Sequence, residues 1–547
     1  MATITELPDD LTSTCALCNK LALLKCGACK LVSYCNKEHQ KQHWAQHKVS
    51  CRPFEVKSSS NSGRYLTASR EIKIDENLIV ESSIVLGPKI VDPEPVCLGC
   101  LRPQTGPVRC PNCLWPVCSA QCPGLFDAHK HAAECMILSI RRGKHSESKN
   151  FRYEIITPLR CLILQRKNPH KWKQIMSMEA HMDKRGLETD TYRYIDKNIA
   201  KHLQSEYLSK LDSDLLGNTT TEVIHRLCGV LDVNALNVRI GNSDLIGLYP
   251  TASLLSHSCL PNTKHTFTDM KITVSASSKI EKGELLTLTY TPVLWGTQAR
   301  RDHLSATKYI SCVCERCTDP TELNTYFSAL KCLSESEEVP CSGYHLPTSP
   351  LDDDALWACN KCSITLTAEE VNSVVTSLGN EVEFVMHLGL KKPLIDDLED
   401  LLKKLCTLLH PQHYLCYTVC HSLIQLYGHQ PGFQHKELPQ HLLERKAELC
   451  RKLLNITFTL DPGKCRLALY AAVLQYELHA VLVELSNRNI NSAESLQYLN
   501  EATSLLEQEI DVLKNEVEFS SGEQMRILAK NSLKSVKILL KDKFNLG

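Results

Sequence analysis

The sequence predicts an α+β protein. Its β-rich central part carries two zinc-binding fingers, one before it and one inserted in it, and an all-helical C-terminal domain follows. Two stretches, 15–51 and 97–135, each hold eight cysteine and histidine residues at metal-ligand spacing. Short apolar runs that read as strands frame a turn-rich polar segment, Ser256 to Asn262. From about Glu369 onward, apolar residues recur at three- and four-residue steps, which predicts amphipathic helices.

The bulk composition limits the classes of function. The chain has 547 residues, 43% hydrophobic and 23% charged, which is typical of a globular protein of several domains. Its formal net charge is +0, so direct nucleic-acid binding is not expected. No apolar run approaches the roughly 18 residues of a membrane span, and Met1–Leu11 lacks the apolar core of a signal peptide. We therefore expect a cytoplasmic or nuclear protein, or both, whose 28 cysteines stay reduced and bind zinc where they cluster.

The first cluster holds its ligand-type residues in two sets of four, and each Cys-x2-Cys pair places two thiolates on one tight turn. It resembles a MYND finger, including the Tyr34-Cys35 and His43-Trp44 pairs. The resemblance implies interleaved ligands, with His39 in place of the usual cysteine. One zinc would take Cys15, Cys18, Cys35 and His39, and the other would take Cys26, Cys29, His47 and Cys51.

The second cluster repeats this arrangement and ends in the same His-x3-Cys step, which indicates an internal repeat. Interleaved pairing would give one zinc Cys97, Cys100, Cys118 and Cys122, and the other Cys110, Cys113, His131 and Cys135. By spacing alone, His129 competes with His131 as a ligand.

The stretch 247–290 carries the chemistry. It begins GLYPTASLLSHSCLPN and closes with GELLTLTY, and Cys312-x-Cys314-x2-Cys317 follows, with Cys259 able to supply a fourth thiolate. These motifs, in this order, resemble the SET methyltransferase core of the SET and MYND domain family. In that family a MYND finger interrupts the SET domain, which is where the second cluster lies. The first finger is then an extra one, as in the arthropod-specific, msta-like branch.

The resemblance implies a protein-lysine N-methyltransferase that uses S-adenosylmethionine. Tyr290 would be the catalytic residue, with its hydroxyl near the transferring methyl group. Asn in a turn is commonplace, so for Asn234 a purely structural role stays open. The positions implied to bind the cofactor are Gly63, Arg64, Tyr65, Asn234, Ser256, His257, Tyr290 and Ile310. The zinc set implied downstream is Cys259, Cys312, Cys314 and Cys317.

Several positions of the cofactor pocket depart from the family pattern. Tyr65 stands at a glycine position, Ser256 at an asparagine and Ile310 at an aromatic residue, while Lys308 replaces a tyrosine that is shifted to Tyr309. Two functions therefore stay open. One is a methyltransferase that acts on a protein lysine, histone or other, in gene regulation. The other is a weakly active or inactive SET scaffold, a co-repressor whose MYND fingers bind proline-containing peptides of partner proteins. No membrane partner is expected, and we expect a monomer.

The domain boundaries follow from these motifs. We predict an N-terminal finger over 1–55, a SET domain over 63–317, a linker over 318–368 and a TPR-like helical domain over 369–547. A plain helical core without a binding groove is the alternative for the last domain. Ser521 and Gln524 predict a capping box at the start of the final helix. In the linker, either a further zinc site or reduced thiols fit Cys332, Cys341, Cys359 and Cys362.

Overall fold

The structure is a computed structural model, and its contacts divide the chain into two compact units. The first unit comprises Met1–Ser256, His265–Leu286 and Thr307–Tyr309. The second comprises His257–Lys264, Thr287–Ala306 and Ile310–Gly547. The residues that the structure describes are 14–27, 32–48, 51–60, 63–104, 106–127, 130–147, 151–240, 243–268, 270–336, 339–387, 394–489, 493–514, 516 and 520–544.

The strands are short and all precede residue 367 in the described parts of the chain. They are β1 (Leu24–Lys25), β2 (Ser33–Tyr34), β3 (Phe54–Ser59), β4 (Gly63–Ala68), β5 (Asn77–Ser82), β6 (Val85–Pro88), β7 (Leu236–Ile240), β8 (Ser243–Leu248), β9 (Ser256–His257), β10 (Thr263–Thr268), β11 (Lys271–Ala276), β12 (Thr287–Leu288), β13 (Leu330–Lys331), β14 (Glu335–Ser336), β15 (Val339–Pro340), β16 (Tyr344–Pro347), β17 (Trp357–Cys359) and β18 (Thr365–Leu366).

These strands form several small sheets rather than one large one. Three sheets have more than two strands, in the orders β10-β11-β5, β6-β8-β7 and β13-β16-β17-β18. Strand β3 pairs antiparallel with β4, so that Ser59 faces Gly63 and Lys57 faces Tyr65. The turn-rich sequence between the apolar runs keeps each strand to a few residues, and the predicted β-rich central part is present.

Helices accompany the strands in the first unit and dominate the second. They are α1 (Lys37–His47), α2 (His131–Leu138), α3 (Arg142–Glu147), α4 (Ile156–Lys167), α5 (Pro169–Met176), α6 (Asp190–Ile195), α7 (Lys201–Glu206), α8 (Ser213–Leu216), α9 (Thr221–Asn234), α10 (Thr297–Lys308), α11 (Glu315–Thr318), α12 (Ala368–His387), α13 (Ile395–Leu408), α14 (Tyr414–Leu426), α15 (Gln440–Leu460), α16 (Ala468–Arg488), α17 (Ala493–Val512) and α18 (Ser521–Phe544).

The predicted α+β class is confirmed, since only helices follow β18 in the part of the chain that the structure describes. Leucines from α13 to α17 bury their side chains in one apolar core. Between α15 and α16, the carboxylate of Asp461 accepts the backbone N–H groups of Cys465, Arg466 and Leu467 at 2.9, 2.8 and 2.7 Å. This side chain replaces the hydrogen bonds that the chain loses where it turns.

The side chain that caps the start of the last helix lies one residue before the predicted capping box. The Ser520 hydroxyl, not that of Ser521, accepts the backbone N–H of Glu523 at 3.1 Å. Ser521 is already the first helical residue. The two adjacent serines are equivalent in sequence, and only the backbone conformation selects between them.

One helix departs from the expectation that no segment could span a membrane. Helix α16 has the length and composition to do so, with a mean hydropathy of 1.2 over 18 residues. However, 56% of that window is buried in the protein, and Leu474, Leu478 and Leu482 belong to the helical core. The core helix of a globular domain has the same composition, so this hydropathy reflects packing between neighbouring helices.

Burial keeps several histidines of the helical part of the second unit neutral. The imidazole of His413 is fully buried at the start of α14, and its Nδ1 accepts the backbone N–H of Leu415 at 3.2 Å. Burial lowers the pKa of His413 to about 3. Burial likewise lowers the pKa of His410, His435 and His479 to about 4 each. Protonation of these rings therefore favours the unfolded chain.

We expect the free energy of unfolding to fall as the pH drops from about 6.5 toward 4. The unfolded chain binds protons at the ordinary histidine pKa of about 6.5, whereas the folded chain does not, so acidification favours unfolding. Asparagine can also accept a hydrogen bond at a helix start. His413→Asn should therefore flatten the pH dependence in denaturant titrations at several pH values. His441→Asn, at an exposed position of α15, should leave it unchanged. Equal slopes in both variants would contradict this assignment.

Candidate functional site

The first finger brings one complete set of predicted metal ligands together. The ligand atoms of Cys15, Cys18, Cys35 and His39 lie within 4.8 Å of one another. Cys35 Sγ is 3.1 Å from His39 Nδ1, and Cys18 Sγ is 3.6 Å from Cys35 Sγ. Asn36 fixes the histidine, since its side chain accepts the His39 backbone N–H at 2.8 Å and begins α1 there. Three thiolates and an imidazole at this separation suit tetrahedral zinc.

The other set of this finger is described in part. Cys26 Sγ and Cys51 Sγ are 3.6 Å apart, and both side chains are buried. His47 is buried as well, and burial lowers its pKa, which keeps the imidazole neutral as a metal ligand requires. The predicted ligand Cys29 lies outside the described residues.

The second finger brings together both of its predicted sets. Cys97, Cys100, Cys118 and Cys122 form one group, and Cys110, Cys113, His131 and Cys135 form the other. Within each group, pairs of sulfur atoms are 3.6 to 3.8 Å apart. His131 Nε2 is 3.4 Å from Cys113 Sγ, so the structure places His131 in the cluster. Its competitor His129 lies outside the described residues.

A buried carboxylate, which no spacing in the sequence predicts, orients His131. His131 Nδ1 lies 3.2 Å from Glu134 Oε1, which leaves Nε2 directed at the cluster. Arg160 donates to the same carboxylate from Nε at 2.6 Å and from a terminal nitrogen at 2.7 Å. Burial opposes ionisation of Glu134, but the charge of Arg160 lowers its pKa below the ordinary value. A carboxylate behind a ligating histidine fixes its tautomer and raises its basicity.

A further cluster lies in the second unit, next to the predicted catalytic segment. The sulfurs of Cys259, Cys312, Cys314 and Cys317 lie within 4.8 Å of one another, and Cys259 Sγ is 3.6 Å from Cys317 Sγ. Arg300, whose side chain is fully buried, donates from Nε to Cys259 Sγ at 3.2 Å. A terminal nitrogen of the same guanidinium is 3.7 Å from Cys317 Sγ. Its positive charge offsets part of the negative charge that four thiolates keep after binding Zn²⁺.

Two more buried charged side chains lie around this cysteine cluster. Glu322 accepts from Arg300 at 2.9 Å and from Arg316 Nε at 3.0 Å, and all three side chains are at most 2% exposed. Burial would raise the pKa of Glu322, but the two guanidinium groups lower it to about 2. Arg316 also donates to the backbone oxygen of Val293 at 2.7 Å. This network ties α10 and α11 to the cysteine cluster.

His257 connects the cysteine cluster to Tyr290. Its Nδ1 accepts the backbone N–H of Tyr290 at 3.0 Å, and its Nε2 lies 3.5 Å from Cys259 Sγ. The two rings are 5.4 Å apart, tilted by 42°. Burial lowers the pKa of His257 to about 4, so the ring is neutral and its Nδ1 is free to accept. The imidazole that resemblance assigned to the cofactor thus also holds the main chain of Tyr290.

Tyr290 is partly buried and packs against the same cluster, together with Ile310 and Leu351. Burial of its hydroxyl raises its pKa, so the phenol stays neutral. The predicted site residue Ile310 lies in the second unit with His257 and Tyr290. Its side chain fills space beside the buried Leu304 and the cysteines, where it contributes apolar packing.

The first unit holds the other predicted cofactor residues, beginning with those of strand β4. Gly63 has φ +62° and open space where a Cβ would lie, so glycine suits its left-handed backbone. Arg64 donates to the backbone oxygen of Ser177 at 3.0 Å. Tyr65 is partly buried opposite Lys57 of β3. Ser256 donates its backbone N–H to the Leu286 oxygen at 3.1 Å.

Asn234 ends helix α9, and its amide already has partners within the first unit. Its Nδ2 donates to the backbone oxygens of Glu179 and Val230 at 2.7 and 2.8 Å. Lys308 Nζ donates to the Asp232 and Val233 oxygens at 2.6 and 3.0 Å, at the negative end of the α9 dipole. Burial lowers the pKa of Lys308 to about 8. Position 308, where the family has tyrosine, thus holds an ammonium group that caps this helix.

Comparison with known proteins gives two family matches. A MYND finger model matches residues 15–51, and a SET domain model matches residues 63–291. The SET domain-containing protein SmydA-8, isoform B, of Drosophila melanogaster is 27% identical over 75% of this chain and 88% of its own length. The N-lysine methyltransferase SMYD2 of Sus scrofa is 22% identical, over 56% of this chain and 50% of its own. The histone-lysine N-methyltransferase ASHR1 of Arabidopsis thaliana is also 22% identical, over 59% and 66%.

We expect Glu322→Gln to destabilise the protein by about 3–5 kcal/mol, because it leaves Arg300 and Arg316 buried with no carboxylate between them. Denaturant unfolding of the zinc-loaded protein measures this. The control Glu71→Gln removes one of the two carboxylate partners of Lys279 in a half-exposed ion pair, and its effect should be far smaller. Similar losses in the two variants would contradict the role given to Glu322.

Proposed function

The chain is a SET and MYND domain protein, and we propose that it is an S-adenosylmethionine-dependent protein-lysine N-methyltransferase that acts in gene regulation. The two family matches confirm the resemblance drawn from the motifs, and the longer match with the Drosophila relative confirms the arthropod-like branch. The observation that carries the proposal is the neutral, buried hydroxyl of Tyr290, whose main chain is fixed by His257. Relatives named as lysine methyltransferases support the reaction class.

S-adenosylmethionine supplies a methyl group on a positively charged sulfur, and a neutral lysine amine takes it as the carbon–sulfur bond breaks. The lysine must first lose a proton to solvent. In this reaction the chain positions groups and does not itself form a bond. The oxygen of the Tyr290 hydroxyl can accept a hydrogen bond from the amine and so direct its lone pair. Burial raises the pKa of this phenol, so it carries no charge of its own. His257 keeps the tyrosine main chain in place.

The residues expected to hold S-adenosylmethionine fit it in part. Gly63 leaves open space beside strand β4, which suits a close approach of the methionine part to the backbone. The Asn234 Nδ2 group is committed to two backbone oxygens, so this side chain offers the cofactor only its Oδ1. Ser256 has a shorter side chain than asparagine and a single donor, and the lost hydrogen bond costs on the order of 1 kcal/mol.

Two observations favour the second candidate function. The Asn234 amide already donates to two backbone oxygens, and Lys308 places an ammonium group at the end of α9. In this second function, the SET domain is a weakly active or inactive scaffold, and the chain acts as a co-repressor through MYND fingers that bind proline-containing peptides. Lys308 adds a positive charge beside the end of α9, where the cofactor's own ammonium group would be repelled. Both candidate functions require the clusters of cysteine and histidine ligands. They differ in whether S-adenosylmethionine binds.

We expect Tyr290→Phe to lower the rate of methyl transfer by at least about 100-fold, since one positioned hydroxyl is lost from the reacting groups. Transfer of labelled methyl groups to a panel of lysine peptides measures it. Zinc content and thermal unfolding should stay close to those of the unchanged protein, because the ring still packs against the cysteine cluster.

Tyr417→Phe is a matched control. Its hydroxyl bonds to Thr457 at 2.8 Å in the helical core, so its loss should cost about 1 kcal/mol of stability and leave the methylation rate unchanged. An undiminished rate in Tyr290→Phe would refute the catalytic role of Tyr290.

A further inference from the structure

We propose that Cys332, Cys341, Cys359 and Cys362 form an additional structural zinc site in the second unit. These cysteines belong neither to the fingers nor to the cluster around Cys259. In the structure their four sulfurs lie within 4.8 Å of one another. Cys359 and Cys362 are close in sequence, and the fold brings Cys332 and Cys341 from other parts of 318–368 to the same place.

The distances between the sulfurs match a metal site. Cys332 Sγ is 3.6 Å from Cys362 Sγ, and Cys341 Sγ is 3.7 Å from Cys359 Sγ. Four sulfurs at about 2.3 Å from a central zinc in a tetrahedron lie about 3.8 Å apart. A sulfur–sulfur bond requires about 2.05 Å, so the geometry is that of four ligands around an ion rather than of two disulfides.

The backbone around the sulfurs forms two metal-binding turns. The N–H of Gly343 points to Cys341 Sγ at 3.4 Å, and the N–H of Lys361 points to Cys359 Sγ at 3.4 Å. In each turn the donor lies two residues after the cysteine. Such N–H groups stabilise the negative charge of a thiolate. The arrangement repeats that of Cys-x2-Cys pairs in zinc sites, although the first turn has one cysteine only.

Glycine is required at position 343. A Cβ there would lie 2.4 Å from Cys359 Sγ and 3.0 Å from the Asn360 side chain. Because Gly343 has no Cβ, the two turns can approach each other closely. The sulfurs of Cys341 and Cys359 can then bind the same metal ion. Ser334 Oγ lies 3.1 Å from Cys332 Sγ and 3.3 Å from Cys362 Sγ and can donate to one of these thiolates. The sulfurs are thus surrounded by donors, as thiolates require.

The site would tie a small sheet to the helical core. Cys332 follows β13, Cys341 follows β15, Cys359 ends β17, and Cys362 lies before β18. Strand β13 bridges from Leu330 to Leu409 at the end of α13. Trp357 and Leu366 of the same sheet pack against the helical core. Too few residues pair in these strands to hold them without help, and a metal cross-link supplies it.

Zinc is the metal that this donor set selects. Four thiolates are soft ligands that exclude Mg²⁺ and Ca²⁺, which prefer oxygen, and a closed tetrahedral set of cysteines is typical of structural zinc. Cys332 and Cys359 are buried. The four cysteines would occupy all four coordination positions of a tetrahedral zinc ion, so none is left open for a substrate. The site is therefore structural rather than catalytic.

Metal analysis of the purified chain, residues 1–547, tests the proposal. The variant Cys341→Ala/Cys359→Ala should bind one zinc equivalent per chain less than the unchanged protein. The variant Cys362→His should keep the full amount, because imidazole is also a good zinc ligand. The control Cys450→Ala removes a buried thiol of the helical core and should keep the full amount. An equal zinc content in the double variant, or iron in place of zinc, would overturn the proposal.

A second measurement decides the question if the double variant fails to fold. In the native unchanged protein, Cys341 and Cys362 are partly exposed, so free thiols there would react with iodoacetamide. We expect mass spectrometry to show all four cysteines protected, and alkylated once a chelator has removed zinc. Ready alkylation without a chelator, or a disulfide between any two of these cysteines, would overturn the proposal.

Discussion

The contact between Cys259 and Cys317 joins parts of the chain that are 58 positions apart, and the geometry of the candidate catalytic residue depends on it. His257, two residues before Cys259, accepts the main-chain N–H of Tyr290, while its other ring nitrogen faces the Cys259 sulfur. Zinc bound to these cysteines would fix the imidazole, and through it the tyrosine. A metal with no part in the proposed methyl transfer would thereby act on it through the position of one residue.

The charge around this cluster is as important as its sulfurs. Arg300 donates to two of the thiolates, and Glu322 holds Arg300 and Arg316 in place. Burying a charged side chain costs desolvation free energy. This cost is offset only where the side chain has all of its oppositely charged and hydrogen-bonding partners. The second finger follows the same principle with Glu134 and Arg160 behind His131. In both places the protein surrounds its cysteine clusters with buried charge, so each cluster is part of a larger network.

The sequence predicted the ligand types but not what surrounds them. Spacing in pairs such as Cys110-x2-Cys113 is local, and the chain geometry that it requires is visible in the sequence. Glu134, Arg300 and Glu322 show no such spacing, since their partners come from distant positions and only the fold brings them together. Lys308 was noted as a departure from the family pattern. The sequence does not show that the Lys308 ammonium group caps α9, because a lysine side chain usually extends into solvent.

In the function that we propose, this SET domain binds S-adenosylmethionine and transfers its methyl group. Titration calorimetry of the purified, zinc-loaded protein with S-adenosylmethionine tests this most directly, because the two candidate functions differ in that step. We predict saturable binding with a micromolar dissociation constant and one site per chain. The absence of binding at millimolar cofactor, in protein that is folded and fully loaded with zinc, would contradict the account and leave the MYND fingers as the functional part of the molecule.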